Sequence, residues 1–306
     1  MAVVIAALGI LLAFLAPGYF TLQNLSEMLL ANMPVLIVAL GMTLVILTGN
    51  IDISSGSLFA LCGVAAGVLA KWGLAPAFAG LAAGIIGAGL GAVNGALVAY
   101  LRIPSIVVTL AVMVALRDGL RWSTQGAWIQ DLPANFQWFG LTQQSSNAVT
   151  FSAATALVVG MAWGLRNLAA GRAVYATGSN ENAARLSGIN SRLVIFSVFA
   201  ITGALTGCAA MLNSVRFNQI PSNAGLGLEM KVIAAVVVGG AATTGGRGTI
   251  LGTLLGVILL GGIGPALTFL GFSAYWERAI QGAIILSAVG FDALRTRWEK
   301  NATAHA

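Results

Sequence analysis

The stretch LTGNIDISSGS places Asn50, Asp52, Ser54, Ser55 and Ser57 around Gly56, between two apolar runs. A carboxylate, an amide and three hydroxyls at this spacing can do two kinds of work. Asp52 can accept backbone N–H bonds at the start of a helix that opens near Ser54. The same groups can line a polar path, because ionisable residues at membrane depth face a cavity or a partner helix. The two readings are compatible. Asn94, Asn213 and Gln281 are further isolated polar positions in apolar runs. They suit interhelical hydrogen bonds, and Asn94 is also a candidate for the path. Glu229 and Lys231 open another apolar run and are read as a local pair or as snorkelling side chains.

No catalytic constellation accompanies these residues. H-E-x-x-H, G-x-S-x-G and G-x-x-x-x-G-K-[ST] are all absent, and the one histidine, His305, stands in the C-terminal tail. TTGGRG at 243–248 is glycine-rich but lacks the Lys-Ser/Thr pair that holds nucleotide phosphates and magnesium. The chain therefore cannot hydrolyse ATP by itself. No catalytic residue, metal site or cofactor is assigned. Cys62 and Cys208 both lie in apolar runs and read as packing residues rather than a disulfide framework.

The elements that must position these groups are set by composition. Of 306 residues, 58% are hydrophobic and 8% charged, where a soluble domain carries about 25% charged residues. Apolar runs of membrane-crossing length make the chain an all-α polytopic membrane protein, and their continuity excludes a β-barrel. Ten spans can be drawn: 2–16, 33–49, 55–70, 77–101, 104–122, 149–166, 193–215, 229–244, 248–270 and 274–294. The first lacks a basic leader and a cleavage site, so it reads as a retained span in a chain that starts short of its natural N-terminus. Spans 55–70 and 229–244 are short, as broken helices beside a transport path often are.

The formal charge of +6 is dispersed beside span ends, which argues against nucleic acid. Arg166, Arg172, Arg185 and Arg192 against Glu181, and Arg295, Arg297 and Lys300, place the 166–192 loop and the C-terminus in the cytoplasm. Counting spans then places the N-terminus there too. Lys71, Arg117 and Arg121 fall toward the outer side, against this scheme. The outer segment RWSTQGAWIQDLPANFQWFG supplies aromatic groups that read as an interfacial belt. Glycines four apart in 80–95, and the pairs Gly203–Gly207 and Gly252–Gly256, read as grooves for close helix packing.

Within the arginine-rich loop, YATGSNENAARLSGIN (175–190) is predicted to form a short polar helix. Ser179 or Asn180 caps it, Glu181 suits its positive end, and Gly188 ends it in the left-handed conformation. About two turns are too short to persist alone. The helix is therefore expected either to lie on the membrane face or to dock in a partner's groove.

The segment from Gly171 to Asn190, which contains YATGSNENAARLSGIN, closely resembles the cytoplasmic signature of membrane permeases from sugar-uptake ABC transporters. These include ribose, galactoside, rhamnose and autoinducer-2 systems and are related to branched-chain amino-acid permeases. LTGNIDISSGSLFAL, NGALVAYLRIPSIVVTLAVM and GLGLEMKVIAAVVVGGAATTGGRGTILGTLLG agree, in order, over nearly the whole chain. GAWIQDLP and IPSNAGLGLEMKVIAA look most like the autoinducer-2 and rhamnose branch. The resemblance implies an ABC importer permease fold: one transmembrane domain over 1–295, a coupling loop at about 167–192, and a short cytoplasmic tail, 296–306. It also implies a bacterial inner-membrane protein that translocates a small neutral sugar or sugar-like solute. Implied partners are an ABC ATPase subunit, an extracytoplasmic solute-binding protein and a second permease subunit in the bilayer. Gly178, Asn180, Glu181, Ala183, Ala184, Arg185 and Gly188 would form the coupling helix and its ends. An ion-coupled transporter or channel using Asp52 is the alternative.

Overall fold

The computed structural model describes residues 2–273, 275–284, 286, 287 and 290. The described residues are helical throughout, apart from turns and one isolated bridge between Ile129 and Ile220. Five helices are long and apolar enough to cross a membrane: α2 (Leu22–Leu47), α4 (Pro76–Ala99), α6 (Gln143–Asn167), α9 (Ser191–Ser214) and α11 (Ile250–Phe269). The others are α1 (Ala2–Leu15), α3 (Ser55–Lys71), α5 (Ser105–Thr124), α7 (Ala169–Ser179), α8 (Glu181–Leu186) and α10 (Leu228–Val238).

α2 is the central post. Its second half, from Met33 to Leu47, is buried on every side, which explains an apolar composition without a polar face. It begins eleven residues before the span expected at 33–49, because Thr21 caps it by accepting the Asn24 N–H and Pro34 is carried inside. α4 and α9 are the closest pair. A Cβ on Gly87 would meet the Gly203 carbonyl, and one on Gly203 the Gly87 carbonyl, so the two backbones touch where both side chains are missing.

The span expected at 229–244 is corrected. α10 stops at Val238, about 16 Å long at 1.5 Å per residue, half of a hydrocarbon core of about 30 Å. Gly239 opens the turn and Gly240 takes φ +94°, which an L side chain resists. The connector then doubles back through Gly245 and Gly246 to α11. The short helix expected between a Ser179 or Asn180 cap and Gly188 is α8, capped by Asn180. α7 precedes it as a separate helix not expected from the sequence, the two being broken at Asn180, whose φ −161° and ψ 104° are extended. The tail 296–306 and the end of the span expected at 274–294, from 291 on, lie outside the described residues; 276–284 is helical.

Candidate functional site

Two regions hold the predicted residues. The first is at the end of the bundle formed by Leu47, α7, α8 and the α10–α11 connector. Asn180 Oδ1 accepts the Ala183 N–H at 3.0 Å, making Asn180 the cap of α8. Glu181 occupies the first turn and Arg185 the last, each favourable for the helix dipole. Gly188 has φ +82° with open space around it, and the Ile189 N–H closes the end onto the Ala184 carbonyl at 3.0 Å. Ala184 faces inward, whereas Leu186 is 91% exposed.

Behind α8 is a joint. Gly178 lies against the Leu47 carbonyl so closely that a Cβ would strike it. That carbonyl also accepts the Gly246 N–H at 2.9 Å. The Tyr175 hydroxyl donates to the Gly248 carbonyl at 2.8 Å. Burial pushes the Tyr175 phenol above its ordinary pKa, so it keeps its proton and its bond at neutral pH. TTGGRG is thus a packing turn: its glycines let the connector meet α2 and α7 at backbone distance. The segment links the ends of α2, α7 and α10–α11 through these contacts.

The second region surrounds LTGNIDISSGS. Asp52 Oδ1 accepts the Ser54 N–H at 2.9 Å and the Ser54 hydroxyl at 2.6 Å, an Asx turn that starts α3. Asn94 on α4 donates to Ser54 Oγ at 2.8 Å. Asp52, Ser54 and Asn94 are each at most 1% exposed. Ser55 donates to the Asp52 carbonyl at 3.3 Å, and Asn50 bonds back to Thr48. The structure gathers Asp52, Ser54, Ser55 and Asn94 into one sealed cluster and leaves Asn50 beside it. Of the path candidates, Ser57 lines a cavity, although it is buried and its hydroxyl donates to the Met113 carbonyl at 2.9 Å.

That cavity, of about 360 Å³, is lined by Gly56, Ser57, Arg117, Trp128, Asn223 and Gly225 among others. Its lining reaches the loop after α5 at Gly126 and Trp128, and in the same loop the Gln130 carbonyl accepts from Lys71 at 3.0 Å. The aromatic segment read as an interfacial belt forms part of its wall through Trp128, held by the Ile129–Ile220 bridge.

Sequence reasoning missed the ion pair beneath this cavity. Arg117 on α5 bonds Glu229 at the start of α10 at 3.1 Å, the one salt bridge among the described residues. Glu229 does not pair with Lys231, which lines a different cleft beside Glu277 and Arg278. Arg117 lies twelve residues into α5, about 18 Å along it, deep in a helix that also carries Asp118 and Arg121. The available signal was an opposite charge inside each of two apolar runs. Read locally, Arg117 counted as an orientation exception and Glu229 as a helix opener.

A family described as "Branched-chain amino acid transport system / permease component" matches residues 24–289. The chain is 37% identical over 298 residues to the "Autoinducer 2 import system permease protein LsrC" of Yersinia pseudotuberculosis serotype O:1b (strain IP 31758), covering 97% of this chain and 85% of the relative. The protein of that name from Yersinia enterocolitica serotype O:8 / biotype 1B (strain NCTC 13174 / 8081) is 37% identical over 304 residues, covering 97% and 83%. That from Yersinia pestis (strain Pestoides F) is 36% identical over 304 residues, covering 97% and 85%. No solved structure matches the chain.

Proposed function

The chain belongs to the branched-chain amino acid transport system / permease component family, and from that premise we propose that it is the permease of a binding-protein-dependent ABC importer for an autoinducer-2-like solute. It is an all-helical, multi-pass membrane transport subunit and not a catalytic enzyme. The finer reading is a small, neutral, oxygenated cargo, with the bacterial inner membrane as its site. The α7–α8 end faces the cytoplasm and the cavity end faces outward, the spans numbering about ten.

The observation that carries this reading is the α8 joint. A six-residue helix presents Leu186 and Arg185 to solvent, yet the end of α7 just before it is fixed through Gly178 to Leu47 of α2 and to Gly246 of the α10–α11 connector. Such a helix is built to receive force from outside the chain. The partner that supplies it is an ATPase, because this chain has no phosphate-binding loop. An apolar knob beside a cation fits a groove with an acidic edge. α5 exposes Ile106, Val107, Leu110 and Val114 together with charges at Asp118 and Arg121, and Arg117 beside them is half-buried in its ion pair. Charges at that depth are costly against lipid, so this face is assigned to a second permease subunit and a water-filled path between the two.

Reconstitution in proteoliposomes tests the proposal. Uptake of autoinducer-2 should require ATP, the ATPase and the solute-binding protein together. Uptake by this chain alone, driven by a proton or sodium gradient, would sink it.

A further inference from the structure

The ion pair beneath the cavity has an acceptor without a donor. Glu229 is 5% exposed, its Oε1 takes the Arg117 bond, and its Oε2 is buried with no partner among the described residues. A buried carboxylate oxygen is costly until a donor fills it. Gly56 packs against this oxygen, and Gly56 and Gly225 line the cavity whereas Glu229 does not. A Cβ on Gly56 would strike Glu229 Oε2 and the Gly225 carbonyl; one on Gly225 would strike the Gly56 carbonyl. The floor of the cavity therefore closes backbone to backbone, with the carboxylate pressed against its far side. On the near side Arg117 lines the cavity and carries N–H donors beyond the one that Glu229 uses.

We propose that Arg117 and Glu229 form a solute-operated latch. A small neutral solute with adjacent hydroxyls accepts from Arg117 and donates to Glu229 Oε2 as the Gly56–Gly225 floor parts. This deepens the importer reading and rests on it. A hydroxyl both donates and accepts, so a vicinal diol satisfies both halves of the pair as it separates them. A carboxylate brings no donor for Glu229, and a phosphate or a carboxylate adds like charge beside it. An apolar solute leaves both ions unpaired in a dry site, which is strongly unfavourable. Selectivity then comes from what the opened pair requires as well as from the shape of the cavity. A volume of about 360 Å³ is at the small end of ligand pockets, in keeping with a solute of monosaccharide size or less.

The test uses the permease assembled with its ATPase and binding protein in proteoliposomes, with labelled autoinducer-2 as the probe. The measured quantity is solute carried per ATP hydrolysed. Glu229→Gln preserves size and Arg117→Lys preserves charge without the guanidinium fork, and each is expected to lower this ratio about tenfold or more. The exchange Arg117→Glu with Glu229→Arg restores an ion pair but reverses donor and acceptor, so it is expected to remain defective. Wild-type ratios in both conservative variants, or rescue by the exchange, would overturn the latch and leave a structural ion pair. A wild-type complex that hydrolyses ATP yet carries no probe overturns the importer reading for this solute. The latch is then decided by a second readout, labelling of Ser57→Cys (in a Cys62→Ala, Cys208→Ala background) by an impermeant thiol reagent added at the α7–α8 end. Glu229→Gln should speed that labelling, and an unchanged rate overturns the latch.

Discussion

The Gly178 backbone rests on the carbonyl of Leu47, closely enough that no side chain fits between them. This contact fixes the end of α7, just before α8, to the central helix α2. Gly178→Ala must shift backbone rather than a flexible side chain, at a cost of about 1–3 kcal/mol for overpacking. Gly188→Ala meets open space and pays mainly for its φ of +82°, about 1–2 kcal/mol. Thermal unfolding in detergent should therefore rank Gly178→Ala as at least as destabilising. It should also find Gly188→Asn close to wild type, since Asn tolerates that conformation. An unperturbed Gly178→Ala protein would refute the joint.

Leu186 and Arg185 lie outside every buried contact. Leu186→Asp and Arg185→Glu should each leave stability within about 0.5 kcal/mol of wild type. Each should weaken ATPase binding about tenfold, near 1.4 kcal/mol. Co-purification and stimulated ATP hydrolysis give the readout, and normal assembly in both variants would rule out α8 as the docking element.

Tyr175 ties α7 to the connector through the Gly248 carbonyl at 2.8 Å. Tyr175→Phe removes one hydrogen bond, about 1 kcal/mol. The sign with pH follows from the raised phenol pKa. A raised pKa in the folded protein means a contribution fully present below the unfolded tyrosine value and lost as pH rises through the folded one. The stability difference between wild type and Tyr175→Phe should thus be flat across the neutral range and shrink only in strong alkali. A difference that changes near neutrality would assign the bond to another group.

Asp52 separates a capping role from a path role. Asp52→Asn keeps an Oδ1 acceptor for Ser54 and is expected to retain most uptake per folded molecule. Asp52→Ala orphans the Ser54 N–H and hydroxyl and should cost about 1–3 kcal/mol. Uptake normalised to folded protein decides the matter. Abolished uptake in well-folded Asp52→Asn would place this acid in the path and revive ion coupling.

How much of this was legible in the chain depends on the range of the interaction. α3, α4, α5, α9 and α11 fall within a few residues of the runs drawn for them, because hydropathy and caps are local properties. The end of α10 was missed since AVVVGGAATTGG continues an apolar run; only the turn at Gly239 and Gly240 breaks it. The cap at Asn180 was one of two candidates, and backbone geometry selected it. Asp52, Ser54 and Asn94 were singled out as polar, but whether they line a path or seal a cluster depends on the α3–α4 contact. Arg117 and Glu229 were both visible as charges and unreadable as a pair, 112 positions apart.

The sequence by itself determined that this chain is a helical membrane protein whose TTGGRG stretch is not a G-x-x-x-x-G-K-[ST] loop, and that 175–190 carries a polar helix with a glycine stop. Composition, periodicity and capping act over a few residues, so they survive without a fold. The tertiary structure alone decided which carbonyl Gly178 touches, where the cavity lies and which acid holds Arg117. Those relations join elements distant in sequence, and only packing brings their atoms within bonding range.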